Sequence, residues 1–351
     1  MVRQSNTTSS APRASTSTAA CVGRIGALAL AVGIGTGIAS VTGTATARAD
    51  NEIRLPGPSV GVSVGGLGVN LGSATAKSNG VGSSAVAVGN NSSATATNGN
   101  FNRAMAIGTN SSAAATNGNN NSATTIGNNS HSYAGTGNDN VAIVRGNGGY
   151  AAASGGSNNL ATVNGESGIA LAGCGSQFRN ARCAADNRDS NGNTARVTGD
   201  RSRAYAGGVD VGDHRFTGSG NSAIVEGDNS VAQAGLGAYG TFGNNNTATV
   251  KGDNSSANAL HGNDNVASVT GDNSSAMAGG AGISLPIPED FPGWNRNTAI
   301  VNGNGSQASA QYGTGFTAVV KGDDFWADAT DTVPHASCPP AGVNGCTPYP
   351  G

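Results

Sequence analysis

The residues able to do covalent or ligand chemistry are few and scattered. Apart from Cys21, the cysteines are Cys174, Cys183, Cys338 and Cys346, two close pairs. Four cysteines allow three pairings, and the local one is the simplest. Neither pair has the two-residue spacing of a zinc knuckle, so disulfides that staple a loop are expected. His131, His214, His261 and His335 are dispersed and form no metalloprotease pair. Asp200, Asp228, Asp253, Asp272 and Asp323 each follow a glycine. Calcium-binding β-rolls carry such ladders, but on a nine-residue period. Here Asn90, Thr109, Asn128 and Asn147 take the same place earlier in the chain, so turn capping is the expected role. The run from Gly235 to Gly240 fits a dinucleotide fingerprint by letter, without the strand-then-helix context that gives it meaning. Lys251-Gly252-Asp253 and Lys321-Gly322-Asp323 look like integrin-type tripeptides but fall in turns the repeat already explains. No catalytic residue, cofactor or metal is assigned.

The elements that must position these residues belong to a repeat. Ala85-Val86-Ala87-Val88-Gly89 recurs at Ala104, Ala123, Ala142, Ala161, Ala195, Ala223, Ala248, Ala267, Ala299 and Ala318, eleven copies in all. Successive glycines step by 19 residues, interrupted by longer steps of 34, 28, 25 and 32. Seven residues after each glycine stands an alanine in every copy, from Ala96 to Ala329. Five residues after it stands an alanine in every copy but one, which has Ser132. Residues two apart share one face of a strand. Each copy therefore predicts two short strands, Ala/Val facing Ala/Ala, joined by a Gly-Asn or Gly-Asp turn.

The fold class is all-β, a narrow two-sheet parallel β-solenoid of 19-residue coils with loops on one edge. Eleven coils stacked at roughly 4.8 Å give a rod of roughly 50 Å. The four insertions, near 173–191, 207–219, 235–244 and 279–296, all follow the second strand and emerge at one corner. The last holds Leu285, Ile287, Phe291 and Trp294 among prolines, an apolar patch that is either a binding loop or a cover folded onto a sheet.

Composition sets the class. Gly 57 and Pro 11, with 4 % aromatic and 11 % charged residues, cannot fill the core of a conventional enzyme. A formal charge of -2 excludes a basic nucleic-acid binder. Residues 1–49 read as a signal peptide: arginines without acids, a small apolar run over 25–41, and Ala47-Arg48-Ala49 before Asp50. Cleavage removes four of 18 basic residues and none of the 20 acids, which leaves -6 and no transmembrane anchor. Residues 50–82 form an N-terminal cap with a degraded coil around Ala74 and Ala76, 83–330 the solenoid, and 331–351 an irregular tail. Phe325 and Trp326 are expected to plug the last coil.

Ser84-Ala85-Val86-Ala87-Val88-Gly89-Asn90-Asn91-Ser92-Ser93-Ala94, and the matching stretch from Arg103 to Ala113, resemble the head repeats of trimeric autotransporter adhesins. The resemblance is best over 83–127. It implies a β-roll head that trimerises and binds matrix proteins, with Val88, Ile107 and Ile126 as outward candidates for a contact between copies. The family's repeat is shorter than 19 residues. The reading is a secreted or cell-surface, non-enzymatic structural or adhesion-like protein. Its partner is a surface protein or a glycan, presented to loops on a rigid rod. The alternative is a polysaccharide-active or glycan-binding β-helix protein that acts through its insertions.

Overall fold

The computed structural model describes residues 46–47, 52–55, 58–173, 190–207, 218–235, 243–280, 294–329, 335–338 and 346–348. The chain divides into two units, 1–45 and 46–351, and the described residues belong to the second. Among them there is no helix, and so none long and apolar enough to cross a membrane.

Two sheets run the length of this unit. In sheet A, parallel strands begin at Ser84, Arg103, Ser122, Val141, Leu160, Thr194, Ser222, Thr247, Val266, Thr298 and Thr317. These open coils 1 to 11. The second strand of each coil, from Ser93–Thr97 to Phe325–Ala329, lies in sheet B. Each strand pairs with its equivalent in the next coil without slip, even across the longest insertion, where Ala161 sits opposite Ala195 and Val163 opposite Val197. A slip of one residue would turn the buried face to solvent, so this register is strongly held.

The core is made of columns of small side chains. Ala85, Ala94, Ala96, Ala142, Ala257 and their equivalents are fully buried. The second inward column of sheet A begins as Ala87 and Ala106 and becomes valine from Val144 to Val320. Thr125 marks the changeover. Its buried Oγ1 donates to the Ser112 carbonyl at 2.7 Å and shares a 2.7 Å hydrogen bond with Ser132 Oγ. That pair accounts for the one break in the alanine column, since each hydroxyl needs the other once both are buried.

Side chains this small let the coils stack tightly, and the turn glycines show how tightly. Gly89 and its equivalents to Gly303 have φ between 115° and 159°. A Cβ there would lie 2.0 to 2.3 Å from the carbonyl oxygen of the glycine one coil on. Both the conformation and the approach require glycine.

Both ends depart from the repeat. Thr75–Ser78 opens sheet B, paired in parallel with Ser93–Thr97. Sheet A is instead capped by Val60–Val64, which runs antiparallel to both Ser84–Val88 and Leu67–Leu71. Glu52–Leu55 and Thr46–Ala47 extend it further, the latter at the expected cleavage site. At the other end the tail is not wholly irregular. His335–Cys338 adds a parallel strand to sheet A, and Cys346–Pro348 an antiparallel one to sheet B. Phe325 packs against the end of the core, as expected. Trp326 does not: it aligns with the outward Gln307 and is exposed, because neighbours on a strand face opposite ways.

Candidate functional site

Each coil turns twice, and both corners are built on buried polar columns that composition alone does not reveal. At the corner after the first strand the column is serine. Ser202, Ser230, Ser255, Ser274 and Ser306 are buried. Each Oγ donates to the glycine carbonyl of the next coil, as Ser230 does to Gly252 at 2.7 Å. The same Oγ accepts the backbone N–H of the next column member, as Ser230 does from Ser255 at 3.1 Å. Gly149 and Gly168 interrupt the column where a Cβ would strike the Val144 and Val163 methyls, at 2.7 and 2.8 Å.

At the corner after the second strand the column is asparagine: Asn102, Asn121, Asn140, Asn159, Asn193, Asn221, Asn246, Asn265 and Asn297, all buried. Asn221 shows the pattern. Its Nδ2 donates to the Gly243 carbonyl at 2.7 Å, and its Oδ1 accepts the Asn246 N–H at 2.9 Å. Phe316 ends the column by donating its N–H to Asn297 Oδ1. The signal was available in the sequence, because these asparagines keep the spacing of the alanines. Asparagine beside glycine also reads as a solvated turn, which conceals the burial.

All four insertions open at this asparagine corner. The second strands end at Gly173, Ala206, Ala234 and Gly279, and the following coils open at Thr194, Ser222, Thr247 and Thr298. The asparagine column crosses every break: Asn193 bonds back to Asn159 at 3.0 Å over 34 residues, and Asn297 to Asn265 at 2.9 Å over 32. The corner therefore holds its hydrogen bonds whatever length of chain leaves it.

The root of the fourth insertion is the most elaborated part. Trp294 is 8 % exposed. Its ring meets Tyr312 edge-on at 5.4 Å and His261 edge-on at 6.0 Å. A Cβ on Gly280 would lie 2.0 Å from Trp294 Cζ3, so the ring rests on that glycine. Burial holds the His261 imidazole below its ordinary pKa of 6.5. Trp294, expected with the apolar loop, is thus seated on the rod as an anchor. Leu285, Ile287 and Phe291 lie outside the described residues, as do Cys174 and Cys183. The backbone places Cys338 opposite Val320 in sheet A and Cys346 opposite Ala327 in sheet B.

The aspartate ladder takes the expected turn positions. Asp228 Oδ1 accepts the Asp200 N–H at 2.7 Å, Asp253 that of Asp228, and Asp272 that of Asp253. Asn128 and Asn147 do the same in earlier coils. Among the described residues no group of three or more His, Cys, Asp or Glu could hold a metal ion.

Val88, Ile107 and Ile126 form one outward column on sheet A, continued by Val60 beyond Val88 and ended by Arg145. Ile107 and Ile126 are 36 % and 38 % exposed, and Val88 is half-buried. On sheet B the outward column reads His131, Tyr150, Ile169, Arg203, Val231, which is no uniform array. A second apolar cluster sits there, with Ala152, Leu171 and Tyr205 buried among Tyr133, Tyr150 and Ile169. Burial raises the Tyr150 and Tyr205 phenols, and the nearby Arg203 guanidinium offsets part of the effect at Tyr205.

No protein-family model, curated protein or solved structure matches this chain.

Proposed function

We propose that this chain is an exported, non-enzymatic structural or adhesion-like protein, a rigid β-solenoid that presents loops from its asparagine corner to a surface protein or glycan. The carrying observation is that all four interruptions open at that one corner while the asparagine column and the register run through them unbroken. Loops placed on a rigid repeat commonly carry recognition, because the scaffold fixes their position. Replacing residues 282–292 with a short glycine-serine bridge keeps Gly280 and Trp294. It should abolish binding to the cell-surface or matrix partner and leave the melting temperature within a few degrees. Full binding by that variant would overturn the reading.

The head-repeat resemblance adds a contact between copies through Val88, Ile107 and Ile126. Light scattering on residues 50–351 should give a multiple of the monomer mass, and Ile107→Lys/Ile126→Lys should return the monomer. A monomeric parent would remove the contact. We assign the two cysteine pairs to disulfides made during export.

A further inference from the structure

Two of the inward columns face each other across the core. In sheet A, Thr125 stands opposite Val144, and the same position runs on coil by coil to Val301 and Val320. In sheet B, Ser132 stands opposite Ala151, and its position runs on to Ala308 and Ala327. Coil 3 shows that these columns meet, because there Thr125 Oγ1 and Ser132 Oγ share their hydrogen bond of 2.7 Å. Neither ladder slips between coil 3 and coil 11, so the same two positions oppose each other to the end of the rod.

The tail adds one more layer to both columns. Cys338 stands opposite Val320, and Cys346 stands opposite Ala327. The two cysteines therefore take the next positions of the two facing columns, one in each sheet. Cysteine carries sulfur at the γ position, where threonine and serine carry oxygen. A disulfide needs Cβ atoms roughly 3.5–4.5 Å apart, a separation of the same order as one bridged by two γ oxygens in hydrogen-bond contact. This layer also needs a tie. His335–Cys338 and Cys346–Pro348 have only four and three residues, and each ends its sheet. Strands so short hold few ladder bonds, and without them the edges of the last coil lie open to strand addition.

We propose that Cys338 and Cys346 join in a disulfide that crosses the core and clasps sheet A to sheet B at the C-terminal end of the rod. Both thiols lose their protons and the two sulfurs bond. The two electrons pass to the disulfide of an exchange partner in the exporting compartment, which leaves as a dithiol. The bond holds the two short strands over the last coil, where Phe325 packs against the core, and reduction releases them. The clasp rests on the assignment of the cysteine pairs to disulfides. It differs from a staple confined to the tail in that it ties the two sheets together.

Peptide mapping of the exported chain without reductant should show Cys338 linked to Cys346. Hydrogen exchange is then followed by mass spectrometry on the same folded protein, before and after reduction by a phosphine, so no variant has to fold. Reduction should speed exchange about tenfold or more in Thr317–Lys321 and Phe325–Ala329, and leave the strands of coils 1 to 3 unchanged. Cys174 and Cys183 precede coil 6, so reduction of that pair does not reach coil 11. Free thiols at Cys338 and Cys346, or linkage of either to Cys174 or Cys183, would overturn the disulfide assignment and the clasp with it. A Cys338–Cys346 link whose reduction leaves coil 11 unchanged would overturn the clasp alone.

Discussion

At the scale of the residue, His261 shows how the rod treats a titratable group. It is 3 % exposed, and burial lowers its pKa from the ordinary 6.5. The unfolded chain therefore binds a proton at a higher pH than the folded one. Its contribution to stability is whole above about pH 6.5 and is lost as pH falls toward the folded value. The parent should lose more denaturation free energy between pH 7.5 and pH 5.5 than His261→Gln does. Equal losses would show that His261 is not desolvated in solution. Such a residue was hardly legible in advance. His261 stands in the sequence as one of four scattered histidines, and only the return of Trp294 onto Gly280 makes it a core residue. Composition groups Trp294 with Leu285, Ile287 and Phe291, and the burial of Trp294 on Gly280 fits the part of that reading in which the loop folds onto the rod.

At the scale of the element, strands and turns read well because one physical rule governs them. A strand two side chains deep can bury only alternate positions, so Ala85 and Ala87, or Ala94 and Ala96, declare their face by spacing alone. The glycine turn declares itself by positive φ and close approach. Two things did not declare themselves. The antiparallel direction of Val60–Val64 depends on pairing, and the alternation of Val60, Val62 and Val64 is the same for either direction. The buried asparagine column is read as turn because asparagine is the usual turn residue. Its importance can be measured. Asn221→Leu leaves the Gly243 carbonyl and the Asn246 N–H without their partners in a site closed to water. Two such groups put the expected loss at about 2–5 kcal/mol by denaturant titration. Asn245 faces solvent at the tip of the same turn, and its change to serine should cost far less. A small loss at Asn221 would mean that water reaches this corner.

At the scale of the whole molecule, order comes from stacking rather than from any one coil. A buried alanine contributes little, on the order of 1 kcal/mol for its methyl group, so a single coil has almost no core of its own. Eleven coils repeat one inward pattern of small side chains and, but for Gly149 and Gly168, much the same corner bonds, and each coil meets only its neighbours. Insertions are tolerated at the asparagine corner because its column closes across them.

This account has one direct test, the excision of a coil. Removing residues 103–121 deletes one period of 19 and joins Asn102 to Ser122, restoring every column. Removing 106–123 deletes one residue fewer and joins Met105 to Thr124 within a strand, so that Thr124 takes the inward place, Thr125 the outward one, and the rest of the strand is turned over. Far-UV circular dichroism and thermal melting should show the first variant folded, with a melting temperature within a few degrees of the parent, and the second grossly destabilised. Equal tolerance of both excisions, or loss of folding on removal of the whole coil, would contradict a registered stack of interchangeable coils.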